Sequence, residues 1–546
     1  MKKPFIVFTA ALLAASIALP LAGCAGINLD NAVIDLDVDV TQNRPTLKGL
    51  YPNSGMSDDL FQNSITAKQL EKITGYKVSY SQITSGNEEQ AVGTALLDPD
   101  TYSFVKCGRG SFDQYVVNDA FLDLTDALKT YAPDLLEVID DDLWEACTYN
   151  GKIYAIPEYG FGYMQDNALI FNKKHLEAVG ITKVPETLTE FTDAVHALQD
   201  KYGANPNYNA FAMAGSDAEL SIISSTFEMP CEFYEDEDGQ VKNYIFSEKT
   251  KNYYQYMNEE IFMKNCIPAS WTTAQADKVM AWFVNEEISV AHLPYWYVQS
   301  LCDSMAATNS AYADSAAARE AIVWQTRIKG DGSYGSIVQE KGRMRGIGDV
   351  GYMIAIPEQS VDVAPYALDW MNTKITDENY KAFLLGEEGV SYEIIDAANV
   401  QEGDIGIEED DGSTTYYRLL EKYAEVQQNS MYTTGGNPAM GRKYWPLREA
   451  SYDCWPILLP VEEDDLMITS VIAKCPCLPE WSGNSIRARS TIITGAQQMI
   501  NATNKNDRTS LETILTNLQK SFNDKYWTKS CAEQVQTWYD ASRRNG

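Results

Sequence analysis

The feature that most constrains this 546-residue chain is the alternation of short strands with helices that begins near residue 46. Thr46-Leu47-Lys48-Gly49-Leu50-Tyr51 reads as a strand. A helix follows from about Asp58 to Thr74, with Phe61, Ile65, Leu70 and Ile73 turned inward and Gly75 as its stop. Lys77 to Ile83 alternates as a second strand. A helix from about Glu88 to Leu97 comes next, and Tyr102-Ser103-Phe104-Val105-Lys106 reads as a third strand. Parallel neighbours need a crossover helix between them, so this order predicts an α/β fold with a largely parallel sheet. Later, Thr187-x-x-Glu190 behind Pro185 is a capping box opening a helix with Phe191, Val195, Leu198 and Tyr202 on one face. Thr509-x-x-Glu512 reads as a second box, ahead of Ile514, Leu515, Leu518 and Phe522.

At the N-terminus, Lys2 and Lys3 precede an apolar run that ends in Leu21-Ala22-Gly23-Cys24. This has the form of a secretory signal with a small-residue cleavage region. It also resembles the bacterial lipobox, whose cysteine is acylated and becomes the mature N-terminus. Pro4 to Ala22 is nearly long enough to span a bilayer as an ordinary anchor. The small residues directly before Cys24 favour the lipobox reading. On that reading 1–23 is a signal peptide, 24–45 a lipidated cysteine with a flexible tether, and the protein faces outside the cytoplasm, held to the cell membrane.

The remaining chain is long enough for two sizeable lobes. Its 77 acidic residues outnumber the 43 lysines and arginines, for a formal net charge of −34. A field of that sign repels nucleic acid and disfavours strongly anionic ligands, unless a local pocket overrides it. Nine cysteines remain besides Cys24, scattered and odd in number. They read mostly as buried thiols with one or two disulfides at most. Cys475-Pro476-Cys477 lacks zinc spacing, and His175, His196 and His292 are dispersed, so no metal or cofactor is expected. The acidic runs Glu235–Gly239 and Glu408–Gly412 fail the EF-hand pattern, with Tyr234 and Ile407 in the first ligand position. Both read as solvated hairpin tips.

Several segments resemble the extracellular solute-binding proteins of ABC importers, in the group related to maltose-binding protein. They are Gly151-Lys152-Ile153-Tyr154-Ala155-Ile156-Pro157, Asn167-Ala168-Leu169-Ile170-Phe171-Asn172-Lys173, Pro185-Glu186-Thr187-Leu188-Thr189-Glu190-Phe191, Phe283 to Ala291 with Pro294-Tyr295-Trp296, and Gly351-Tyr352-Met353-Ile354-Ala355-Ile356-Pro357. Gly386-Glu387-Glu388-Gly389-Val390-Ser391-Tyr392-Glu393 is similar to a motif of the longer, oligosaccharide-associated lipoproteins of that group. The resemblance spans about Thr46 to Glu393. It implies two hinge-linked lobes, a type II periplasmic-binding-protein-like fold, with lobe 1 formed by 46–160 and 350–425 and lobe 2 by 161–349 and 426–546. It further implies a monomer that captures an oligosaccharide, passes it to membrane permease subunits and performs no catalysis.

In open α/β lobes, ligands meet the loops at the carboxyl ends of strands. That rule singles out Tyr51 and Asn53 after the first strand, Arg109 after the third, and Glu158 and Tyr159 after the strand ending at Pro157. Asp349 precedes the second crossing, and Trp445 belongs to the C-terminal part assigned to lobe 2. For Trp296 the resemblance implies a platform on which a sugar ring stacks, with core packing as the alternative. Glu158 serves either hinge hydrogen bonding or ligand binding, and Arg109 either ligand or a neighbouring acid. A binder of cationic peptides or polyamines, or a sensor on the same fold, fits the negative charge. A secreted glycoside hydrolase fits the aromatics and acids, although no nucleophile motif stands at a strand-to-helix turn.

Overall fold

The computed structural model describes residues 32–52, 57–83, 88–97, 102–158, 167–219, 221–294, 297–345, 352–426, 432, 436–444, 446–447, 467–503 and 508–545. Two sheets organise it. In chain order their strands are β1 (Leu47–Tyr51), β2 (Val78–Gln82), β3 (Phe104–Gly108), β4 (Ala155–Pro157), β5 (Asn167–Asn172), β6 (Phe211–Ala212), β7 (Val290–Pro294), β8 (Ile322–Gln325) and β9 (Tyr352–Ala355). Among the described residues the first sheet has the order β2-β1-β3-β9-β4 and the second β8-β5-β7-β6. In the first, β1 pairs in parallel with β2 and β3, and β9 runs antiparallel to both β3 and β4. In the second, β5 runs antiparallel to β7 and β8, while β6 is parallel to β7. The reversed strand in each sheet is the one that receives the chain from the other lobe.

Both sheets are buried on both faces. One face of the first sheet carries Leu47, Tyr51, Phe104, Ile156 and Ile354 into a large core, and the other carries Leu50, Val105, Cys107, Ala155 and Met353 into a smaller one. The second sheet divides the same way, Leu169, Phe171, Phe211 and Val290 against Ala168, Ile170, Ala212 and Ala291. The expected two-lobe α/β fold is therefore present, each lobe a sheet between helical layers.

Local chemistry explains the elements around the first sheet. The helix expected over Asp58–Thr74 is two, α1 (Asp58–Asn63) and α2 (Ile65–Thr74). Ser64 is extended there and its Oγ accepts the Ala67 N–H, which starts a new helix rather than continuing the old one. Gly75 ends α2 in the left-handed region at φ 70°, where glycine carries no Cβ penalty. Next come α3 (Glu88–Leu96) and α4 (Arg109–Val116). In the second lobe, α5 (Leu188–Tyr202) starts with the complete Thr187/Glu190 capping box. The second expected box is displaced, because Thr509 lies inside the helix Arg508–Lys525. The acidic run Glu235–Gly239 joins the paired strands Phe233–Glu235 and Val241–Asn243, with the Lys242 ammonium on Asp236.

Two boundaries differ from expectation. Tyr432, Met440, Tyr444 and Leu447 pack in the first lobe's core, so the chain stays with lobe 1 well past 425. The expected tether is also docked over its described part: Ile34 is buried there, and the Tyr131 hydroxyl donates to Asp35 O at 2.7 Å and accepts from Val38 N–H. All eight described cysteines are buried free thiols, and no described helix is long and apolar enough to cross a membrane.

One buried charge stands out in lobe 1. Lys374 follows the helix Ala364–Thr373 and is 1% exposed. Its Nζ donates to Tyr432 O at 3.3 Å and lies 4.9 Å from the Trp370 ring centre. Burial pushes its pKa well below the ordinary 10.5, Lys106 adds to that, and Glu158 opposes it. The folded chain thus binds this proton more weakly than the unfolded chain. Lys374 makes stability rise with pH between its lowered value and 10.5, and withdraws that stability as the pH falls. Lys374→Met is expected to stabilise the fold at pH 7, by on the order of 1 kcal/mol, and so to raise the unfolding midpoint. Thermal melts of both chains at a series of pH values check this: the gap must narrow as the pH approaches 10.5, and a constant gap refutes the assignment.

Candidate functional site

The N-terminal turn of α4 is where the first sheet meets the second lobe. β3 ends at Gly108, whose backbone N–H donates to Glu88 Oε1 at 2.6 Å, and Ser111 Oγ bonds the same oxygen. Arg109, the first residue of α4, turns back on Asp113 one turn later. Its Nε reaches both Asp113 oxygens at 3.0 Å, and its Nη2 donates to Cys475 O at 2.7 Å. Asp113 is buried and Arg109 nearly so. Gly110 has no Cβ to spare: one built there falls 2.8 Å from the Ile486 side chain of α6 (Ser485–Ile500), in the second lobe. Cys475-Pro476-Cys477 touches both lobes, since Cys475 packs in the second core and Cys477 in the first, where its N–H donates to Thr148 O at 2.9 Å. A further tie, from Trp538 Nε1 to Glu145 Oε1 at 2.7 Å, joins the C-terminal helix to lobe 1.

Between these contacts lies a cavity of about 150 Å³. Lobe 1 contributes Arg109, Gly110 and Asp113 to its wall, and lobe 2 contributes Glu219, Glu232, Tyr244, Trp481 and Arg489 among others. Glu219 is buried and pairs with Arg489, Nε to Oε2 at 3.3 Å. Its backbone carbonyl accepts Arg345 Nη1 at 2.7 Å, which fixes the loop that carries it. Coulomb attraction to Glu219 raises the Arg489 pKa and keeps its charge in place. Trp481 stands edge-on to Phe233 with ring centres 4.9 Å apart, so its indole is held rigid at the wall. Two charge pairs, an indole and a phenol converge here. That set can hydrogen-bond hydroxyl groups and cover an apolar ring face.

Of the residues singled out from sequence, Arg109 lines this cavity. Glu158 lies at the first crossing instead. Its N–H donates to Tyr352 O, and its carboxylate takes Lys106 Nζ at 2.8 Å, both side chains being buried. Tyr51 is fully buried in the first core, its ring edge-on to Phe61 at 5.4 Å and Phe104 at 5.9 Å. Cys24, Asn53, Tyr159, Trp296, Asp349 and Trp445 lie outside the described residues. Sequence reasoning missed Asp113, Glu219, Glu232, Tyr244, Trp481 and Arg489. The only local hint was Arg487-x-Arg489, a basic pair in an acidic chain. Among the described residues no cluster of three histidine, cysteine or acidic side chains could hold a metal.

Two lobes joined by crossing strands, with a polar and aromatic cavity where they meet, define the fold of the two-lobe solute-binding proteins. Solved structures of that fold match nearly the whole chain. The FusA substrate-binding protein of an S. pneumoniae ABC transporter, in complex with kestose, aligns with TM-score 0.60 and 14% identity over 92% of this chain and 100% of that one. A solute-binding protein from Bifidobacterium longum infantis, described as binding HMO, aligns with TM-score 0.57 and 14% identity over 91% and 99%. The alginate-binding protein AlgQ2, solved without calcium, aligns with TM-score 0.60 and 14% identity over 92% and 99%. No family model matches the chain. Among curated proteins, the diacetylchitobiose-binding protein DasA of Streptomyces coelicolor is 25% identical over 154 residues. That match covers 28% of this chain and about a third (34%) of DasA.

The Arg109–Asp113 pair makes a testable claim about the junction. Arg109→Ala leaves a buried carboxylate without its counter-ion and is expected to cost about 3 kcal/mol. Arg109→Ala with Asp113→Ala is expected to recover most of that loss. Thermal or urea unfolding of the two single variants and the double variant gives the coupling energy, and additive losses would show that the pair is not coupled.

Proposed function

We propose that this protein is the substrate-binding subunit of an ABC importer. It captures an extracellular oligosaccharide between its lobes and delivers it to permease subunits in the membrane. The observation that carries this reading is the cavity at the lobe junction, whose walls come from both lobes and offer paired charges, a phenol and an indole to a polyhydroxylated ligand. The fold supports it, as do the kestose, HMO, alginate and diacetylchitobiose named for the similar proteins. Closure of the lobes around the crossing segments then excludes water, so each hydroxyl must find its partner on the protein. Arg109 serves this site directly in our reading. Trp296 supplies a stacking face, and Tyr159, Asn53, Asp349 and Trp445 belong to the same cleft. Glu158 positions the first crossing, and Tyr51 supports it from the core. The reading includes no chemical step on the ligand.

The expected test is thermal unfolding of the purified protein against kestose, diacetylchitobiose, spermidine and a lysine-rich peptide. A ligand that binds only the folded chain stabilises it by about 2.7 kcal/mol at a hundredfold excess over Kd. A saturable shift with one saccharide, lost in Trp296→Ala, with the saccharide recovered intact, is the expected result. A shift with the cations alone would replace this reading with the polyamine or peptide binder, and a cleaved saccharide would make the protein a hydrolase.

Residues 1–23 act as the signal in this reading, and Cys24 is acylated, which holds the binder beside its permease and raises its local concentration. Labelling of cells with a palmitate analogue is expected to mark the full chain and not the Cys24→Ala variant. Equal labelling of both would remove the anchor.

A further inference from the structure

The chain ahead of β1 is bound to lobe 1 along its described length. Ala32, Ile34, Val38 and Val40 pack on the first lobe's core, and Ile34 is buried in it. The Tyr131 hydroxyl holds the backbone at two points, donating to Asp35 O and accepting the Val38 N–H at 3.1 Å. Further on, Arg44 closes a second clasp. Its Nη1 donates to Thr74 O at 3.2 Å, and its guanidinium lies 4.4 Å from the Tyr76 ring centre. Asp369 accepts the Tyr76 hydroxyl at 2.6 Å and stands 3.8 Å from Arg44 Nη2. Tyr131, Thr74, Tyr76 and Asp369 all belong to lobe 1. Residues 32–45 thus form a strap with a clasp toward each end, where the sequence alone predicts a flexible tether.

Chain length and topology give the strap a consequence. Cys24 stands eight residues ahead of Ala32. Fully extended, that stretch reaches at most about 26–29 Å, against roughly 70 Å for a tether running free from Cys24 to Pro45. The strap joins the first sheet at the amino end of β1. β1 is parallel to β3, whose carboxyl end carries Gly108 and Arg109 to the lobe junction. The Arg44 clasp, beside Thr74 and Tyr76 at the amino end of β2, therefore lies at the end of the sheet away from lobe 2. Asp35, Asp37 and Asp39 are exposed along the strap. Their carboxylates repel an anionic lipid surface, so the strap is no adhesive by itself. Whatever brings this face to a membrane acts through the short leash.

We infer that the docked strap turns the outer end of lobe 1 toward the lipid bilayer and holds it there on a leash of eight residues, leaving lobe 2 as the lobe that moves when the two close. This rests on the proposed acylation of Cys24 and adds an orientation to it: the anchor holds one lobe in a set posture and does not let the whole molecule tumble.

Energy transfer to acceptor lipids tests it, with the full acylated chain in phosphatidylcholine vesicles. The donor fluorophore is placed at Gln42 on the strap, or at Lys174, just past the end of β5 that points away from the crossing. Transfer from Gln42 is expected to be several-fold more efficient than from Lys174. About twelve glycine and serine residues inserted after Gly26 lengthen the leash without touching the strap, and are expected to remove at least half of that difference. Amide exchange at Val38 reports docking directly, and Tyr131→Phe is expected to speed it roughly three- to tenfold. Equal transfer from the two positions in the native chain overturns the inference, as does an insertion that leaves the difference unchanged or a Val38 amide that Tyr131→Phe does not affect. All three outcomes leave the anchor standing. An intact mass without an acyl group overturns the reading of Cys24, and the inference with it.

Discussion

The pairing of Arg109 Nε with both carboxylate oxygens of Asp113 holds the first turn of α4 against the second lobe. An arginine at the first position of a helix has the wrong sign for the helix dipole, a penalty of roughly 0.3–1 kcal/mol. Two carboxylates reverse that balance. Glu88 takes the Gly108 N–H just ahead of the helix, and Asp113 grips the guanidinium one turn along. Charge-assisted hydrogen bonds contribute about 1.5–3 kcal/mol each, so the pairing outweighs the dipole. Nη2 then reaches Cys475 O in the other lobe. One side chain thereby fixes the helix end, spans the junction and forms part of the cavity wall.

The sheets give that junction its form. β5 and β9 each run against the direction of their neighbours in the sheet. β9 places Tyr352 opposite Gly108 and Met353 opposite Pro157, so the end of β3 and the end of β4 are held side by side. Lys106 and Glu158 pair across this same edge. The rigid part of lobe 1 thus runs up to the crossing, and any change of lobe angle must be taken up beyond it, between elements and not within the sheet.

Much of this was legible in the chain. The first three strands lie within a residue or two of their expected ends, because the alternation is regular and Gly75 stops the helix between the first two. The Thr187 box is where its spacing placed it. What stayed illegible has a physical reason. Tyr51 was assigned to a cleft by its place at a strand end, yet β1 is buried on both faces and parity there says nothing about direction. Glu219, Tyr244, Trp481 and Arg489 reach the cavity from separate elements brought together only by tertiary packing, and no local pattern joins them. Tyr432 and Leu447 joined the first lobe for the same reason: their partners, such as Phe61 at 4.8 Å from Tyr432, lie far back in the chain.

The interleaving of the two lobes also sets a timetable. β4 has β9 as its neighbour in the sheet, so the first sheet remains open until Tyr352–Ala355 has been made, and Trp370 and Leu447 come later still. The second lobe waits longer, because Ile492, Leu515 and Phe522 of its core lie far beyond β9 in the chain. At about 5–20 residues per second, the ribosome needs on the order of ten seconds or more to go from β9 to the final helix. Over that interval the second core cannot close, and the polypeptide that will form it stays pliable.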